Sequence, residues 1–147
     1  MESTELIMEI TGRMTGTEEY GASIQAILER KVAPPPAGAR FDGSVEGTVD
    51  GPKLKGSFHS VDYLNIRADG RVELHGHARL ELKDGGKVSL FAEGLGTLDA
   101  NGILQLRESV TLKSNSPAHA WVNSIQVWAT GTANLANGEI RLKGYRA

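Results

Sequence analysis

Apolar and polar residues alternate with a period of two along most of this chain, the pattern of strands with one buried face. Between Arg71 and Leu82, Val72, Leu74, Gly76, Ala78, Leu80 and Leu82 alternate with Arg71, Glu73, His75, His77, Arg79 and Glu81. The same rhythm runs through Glu5 to Ile10, Phe41 to Val49, Lys53 to His59, Val61 to Arg67, Lys87 to Glu93, Ile103 to Lys113, His119 to Gly131 and Glu139 to Arg146. Asp-Gly and Asn-Gly pairs punctuate these runs at Asp42, Asp50, Asp69, Asp84, Asn101 and Asn137. Such dipeptides favour tight hairpin turns, because their residues tolerate positive φ. About nine short antiparallel strands are predicted. A flat sheet of that width leaves exposed edges, so the expectation is an all-β fold, a small antiparallel barrel of about 8–10 strands, with a β-sandwich as the alternative.

One segment breaks the alternation. In Thr17 to Lys31, Tyr20, Ile24, Ile27 and Leu28 stand at the spacing of one helical face, with Glu18 and Glu19 near the start and Arg30 and Lys31 at the end. That charge order suits the helix dipole, and one short helix near the N-terminus is predicted, weakened by Gly21. The prolines at 34 to 36 make a stiff extended connector back to the sheet. No boundary is marked there, so residues 1–147 are read as a single domain.

Composition narrows the chemistry. The 147 residues include no cysteine, which excludes a disulfide framework, a thiolate nucleophile and a thiolate metal site. A formal charge of −2 carries no basic footprint for nucleic acid or an anionic membrane, and neither partner is expected. No apolar run is long enough to span a bilayer, and the first twelve residues are acidic where a signal peptide is basic and then apolar. A cytoplasmic location is the expectation. There is no Gly-rich phosphate loop and no Gly-x-Ser-x-Gly elbow.

What remains is acid-base and electrophilic chemistry. His75 and His77 share one strand face about 6–7 Å apart, and imidazoles exchange protons near neutral pH. They are the first candidates for a general acid and base if that face lines an interior; if it is the wet exterior, Val72, Leu74, Ala78 and Leu80 fill the inside. Tyr63 and Asp62 point to opposite faces, so only one of them joins the histidines. Tyr63 is a candidate to stabilise a developing anion through its hydroxyl, and Glu93 to orient a histidine or act as base. Arg79 is placed to hold a carboxylate bidentately, and Glu93 shares its face with Phe91. In His119 to Asn123, read as strand, Trp121 lies between His119 and Asn123 on one face, a suitable lining for a flat substrate. A His-x-His pair also offers two imidazoles to a metal, with His59, Glu93 or His119 as third ligand.

The string GPKLKGSFHSVDYLNIRADGRVELHGHARLELKDGG, with SPAHAWVNSIQVWATG downstream, resembles the bacterial family known as domain of unknown function 3237. The resemblance runs from about Tyr20 to the C-terminus and is most specific in Gly51 to Gly56, Asp62 to Gly70 and Ser116 to Asn123. It implies a barrel with a central cavity like that of allene oxide cyclase and dirigent-type proteins, which hold a reactive apolar molecule without metal or organic cofactor. It also implies that Asp62 belongs to the family motif and that some members decarboxylate aromatic carboxylic acids. His75 and His77 replace the Asp and Arg commoner in the family.

The expected function is therefore a cofactor-independent lyase or isomerase, with no metal. It would act by acid-base chemistry on a hydrophobic or aromatic carboxylic acid. The alternative is a non-catalytic barrel that binds the same class of small molecule. Trp128 with Val122 offers an outer apolar patch suited to a homo-oligomer.

Overall fold

A computed structural model of the chain describes residues 5–147. Eight antiparallel strands, each hydrogen-bonded to its sequence neighbours, close as β1 pairs with β8. They are β1 (Leu6–Glu19), β2 (Ala39–Asp50), β3 (Gly56–Ile66), β4 (Val72–Leu82), β5 (Lys87–Leu98), β6 (Ile103–Lys113), β7 (Gln126–Asn134) and β8 (Glu139–Arg146). The predicted barrel is present, and its strand count differs for a simple reason. Lys53 to His59 and Val61 to Arg67 are halves of β3, because Ser60 keeps the alternation in phase across them.

Inward positions carry the core. On β4, Val72, Leu74, Leu80 and Leu82 are buried, and two strands on so are Leu104, Leu106, Val110 and Leu112 of β6. A turn forms at Asp69-Gly70, but of the pair only Gly70 takes positive φ, at 88°, with its N–H donating to the Arg67 carbonyl at 2.9 Å.

The up-and-down order sends alternate connections to opposite ends. At one end lie the β2–β3, β4–β5 and β6–β7 connections, and the last of these contains a 3-10 helix, Pro117–Ser124. The strand expected from His119 is therefore corrected: β7 begins at Gln126. Pro117 favours a helical start, and Asn123 folds back to bracket Ser114, accepting from its N–H at 2.9 Å and donating to its carbonyl at 2.7 Å. Val122, expected beside Trp128 on an outer apolar patch, is instead fully buried and joins the barrel core, which closes this end, while Trp128 is exposed.

At the other end stands helix α1 (Ile24–Leu28), shorter than predicted because β1 extends through Glu19. Ser23 caps it, its Oγ accepting from the Ala26 N–H at 3.1 Å, and Glu19 accepts from the Ile24 N–H at 2.7 Å. Ile24 and Ile27 face the barrel and are buried. The helix stops in a Schellman turn, with Arg30 in the left-handed region at φ 59° and the Lys31 N–H returning to the Ala26 carbonyl at 2.9 Å. Among the described residues no helix is long and apolar enough to cross a membrane.

Candidate functional site

The His75 and His77 face is the outer face of the barrel. Their strand neighbours Leu74 and Gly76 are buried, whereas His77 is exposed and His75 half-buried. The two imidazoles stand 5.4 Å apart between Tyr63 and Phe91, with His77 4.5 Å from the Phe91 ring and 5.8 Å from the Tyr63 ring. Tyr63 and Phe91 are about two-fifths exposed. Glu93 is exposed and lies opposite His75 in the β4–β5 ladder, and Arg79 donates through Nε to Glu81 at 2.6 Å. Of the two orientations open from the sequence, the wet exterior is the one found: the apolar phase of β4 turns inward and takes the histidines out, although half-buried His75 also borders the inner cavity. Among the described residues no three His, Asp or Glu side chains come together as a metal site.

The His119, Trp121 and Asn123 set is likewise elsewhere, at the closed end. His119 is buried, with Nε2 2.7 Å from Asp84 Oδ2, while Nδ1 has no hydrogen-bond partner. The Trp121 ring lies under the Lys53 ammonium at 5.0 Å. These contacts tie the 3-10 helix to the β2–β3 and β4–β5 turns.

Of the sequence candidates, Asp62 faces inward. It lies on β3 in phase with Phe58, Ser60 and Leu64, and lines an internal cavity of about 60 Å³. Gly76 lies opposite it on β4, where the missing side chain leaves room for the carboxyl. The Ser60 hydroxyl donates to Asp62 Oδ1 at 2.5 Å.

A second carboxyl lines the same cavity. Glu108 stands on β6 between Leu106 and Val110, on the apolar phase of that strand. Among the described residues its carboxyl makes no hydrogen bond, and Leu74, Leu90 and Leu106 line the same cavity. Burial, and next the nearby charge of Asp62, push Glu108 up to about 7. Burial also raises Asp62, opposed by the Ser60 hydroxyl, which favours the charged form. The sequence reading passed over Glu108, although an acid on the buried phase of an otherwise apolar strand was its visible signal.

A second space lies at the α1 end. A groove of about 650 Å³ lies between α1 with its following connector and the barrel rim at Ile66, Val72 and Leu98. Leu135 borders both groove and inner cavity.

Known structures share this architecture. A barrel protein of unknown function from Clostridium acetobutylicum superposes with a TM-score of 0.79 at 19% identity, over 100% of this chain and 99% of that one. A barrel-like protein from Acinetobacter baumannii gives 0.75 at 18% identity, over 97% and 93%. A protein from Penicillium herquei described as an enzyme gives 0.61 at 16% identity, over 99% and 98%. At these identities the likeness is one of fold. No curated protein matches the sequence. The strands that carry both carboxyls, β3 and β6, lie within residues 39–147, which match the model of the protein family of unknown function DUF3237, and the chain belongs to that family.

Proposed function

We propose that this protein is a cofactor-independent acid-base enzyme, a lyase or isomerase, in which Asp62 and Glu108 move protons on a small apolar substrate held inside the barrel. The observation that supports it is the pair of carboxyls in one apolar cavity, with Glu108 raised to about 7. Two carboxyls in mutual reach of each other's field do not both ionise readily, so ionising one holds the proton more firmly on the other. Ser60 favours charge on Asp62, which makes Asp62 the base and Glu108 the acid at the start of a cycle. Asp62 takes a proton from carbon or a hydroxyl, Glu108 returns one to another atom of the substrate, and no electron acceptor is required. Double-bond migration, elimination and ring closure fit such a relay.

The test is mass spectrometry of a bacterial metabolite extract, supplemented with enoic and aromatic acids, after incubation with wild type, Asp62→Asn and Glu108→Gln. A compound converted by wild type and left intact by both folded variants supports the reading, and its mass change separates elimination from isomerisation. Conversion that persists in both variants overturns it. Retention of one compound by all three proteins, unconverted, points to the binding barrel.

A further inference from the structure

The groove is bordered by an exposed cation that has no partner among the described residues. Three cationic side chains border it: Arg30, Lys31 and Arg71. Lys31 is paired with Glu29 at 2.9 Å and Arg71 with Asp69 at 3.2 Å. The Arg30 guanidinium has no hydrogen bond and no ion pair among the described residues. It is also held at an unusual position. Arg30 occupies the left-handed place of a Schellman turn, where glycine is the ordinary residue and a side chain is strained. The helix end would form at least as well with glycine there, so the fold alone gives no reason for an arginine.

The two spaces differ in what they admit. The inner cavity of about 60 Å³ is well under the roughly 150 Å³ that accommodates a benzene ring, whereas the groove is about 650 Å³. Asp62 lies four residues along β3 from Ile66 at the rim. That is about 13 Å of strand, or about 10 Å of depth at an ordinary barrel tilt. The groove's walls are apolar at Ile27, Leu28, Ile66, Val72 and Leu98. A negative group is repelled from the inner carboxyls and attracted to the rim.

We infer that Arg30 is the head-group subsite for a free amphipathic acid whose carboxylate stays at the rim while a slender alkyl or alkenyl tail reaches the Asp62 and Glu108 carboxyls. This rests on the acid-base reading of those carboxyls and narrows its substrate class. Proton transfer then takes place about 10 Å from the substrate's carboxylate, which favours isomerisation, elimination or cyclisation along the chain over decarboxylation.

The probes are octanoate, butyrate and octan-1-ol, below micellar concentrations, measured by calorimetry at pH 8 with wild type, Arg30→Gly and Arg30→Gln. Octanoate should bind wild type more tightly than either octan-1-ol or butyrate. Both variants should lose about five- to tenfold in octanoate affinity with little change for octan-1-ol, and added salt should weaken octanoate in wild type only. Arg30→Gly should melt no lower than wild type, which separates lost recognition from lost structure. Octanoate binding that ignores both substitutions, or failure of octanoate to bind wild type, overturns the inference. If Glu108→Gln abolishes turnover while octanoate affinity is indifferent to Arg30, the head-group subsite fails and the acid-base reading stands. Octanoate held through Arg30 with turnover unchanged in Glu108→Gln supports the subsite and removes the catalytic reading.

Discussion

Gly76 stands opposite Asp62 in the β3–β4 ladder, and a Cβ added to it would lie 2.8 Å from Asp62 Oδ1. The carboxyl thus occupies the space of a missing side chain, within reach of the Ser60 hydroxyl at 2.5 Å. Gly76→Ala should displace the carboxyl and weaken that hydrogen bond, at a cost of about 1 kcal/mol in stability. Because the bond favours the charged form, its loss raises Asp62 further. The basic carboxyl is then less available, and the acid limb of any pH–rate profile should move to higher pH. A profile superimposable on that of wild type would show that Gly76 serves packing alone.

Stability should fall as the pH rises from about 4.5 to about 7. Glu108 is raised to about 7 in the folded chain against 4.5 when free, so over that window the folded state binds more protons than the unfolded one. Its contribution is complete below 4.5 and lost by about 7, at most about 3 kcal/mol. Asp62, raised by the same burial, acts in the same direction. Asp84, lowered chiefly by the Gly86 N–H, and Asp99, lowered chiefly by the Ile103 N–H, act oppositely, losing stability as the pH falls through the range below 4. A maximum between about pH 4 and 5 is expected. Urea midpoints from pH 4 to 8 should decline in wild type and run flatter in Glu108→Gln; parallel curves would mean that Glu108 titrates as an ordinary surface carboxylate.

The hairpins at Asp69-Gly70, Asp84-Gly85, Asn101-Gly102 and Asn137-Gly138 were plain in the sequence, their glycines taking the positive φ such turns need, whereas Asp42-Gly43 lies inside β2; the alternation of β4 gave its two faces correctly. Which face looks inward was a question of chemistry, not of period. Two histidines side by side attracted attention by their reactivity, yet they occupy the polar phase, and a small barrel turns its apolar phase in. Glu108 gave the opposite signal, a charged residue where the rhythm of Leu104, Leu106, Val110 and Leu112 asks for another aliphatic side chain. Asp62 breaks the phase of β3 in the same way. The 3-10 helix was hidden because AHAWVNS alternates like a strand, and the contacts that bend it, Asn123 to Ser114 and His119 to Asp84, are invisible in periodicity.

The outer cluster should be separable from the inner pair. Tyr63, His75, His77 and Phe91 are in ring contact on the barrel's surface, and edge-on ring pairs contribute about 0.5–1.5 kcal/mol each. His75→Ala/His77→Ala should therefore lose about 1–2 kcal/mol of stability. It should retain most of the turnover that Asp62→Asn and Glu108→Gln abolish. Equal loss of turnover in the histidine variant, with the fold intact by circular dichroism, would move the chemistry to the outer face.

At the closed end, His119 and Asp84 divide a structural task unequally. The His119 ring is buried against Gly86, whose added Cβ would lie 2.6 Å from the ring's Cδ2, so the ring fills its site. His119→Ala leaves a void and removes the bond to Asp84, and should cost about 2–3 kcal/mol. Asp84→Asn keeps one side-chain oxygen to accept from the Gly86 N–H, as Oδ1 does at 2.9 Å, and sets its amide N–H toward His119 Nε2, which then accepts; it should cost under about 1 kcal/mol. This end is opposite the groove, so both variants, measured where they are fully folded, should bind octanoate with wild-type affinity. Thermal melts rank the two costs directly; an Asp84→Asn loss as large as that of His119→Ala would show that the contact with the Asp84 carboxylate, rather than the buried ring, holds the 3-10 helix.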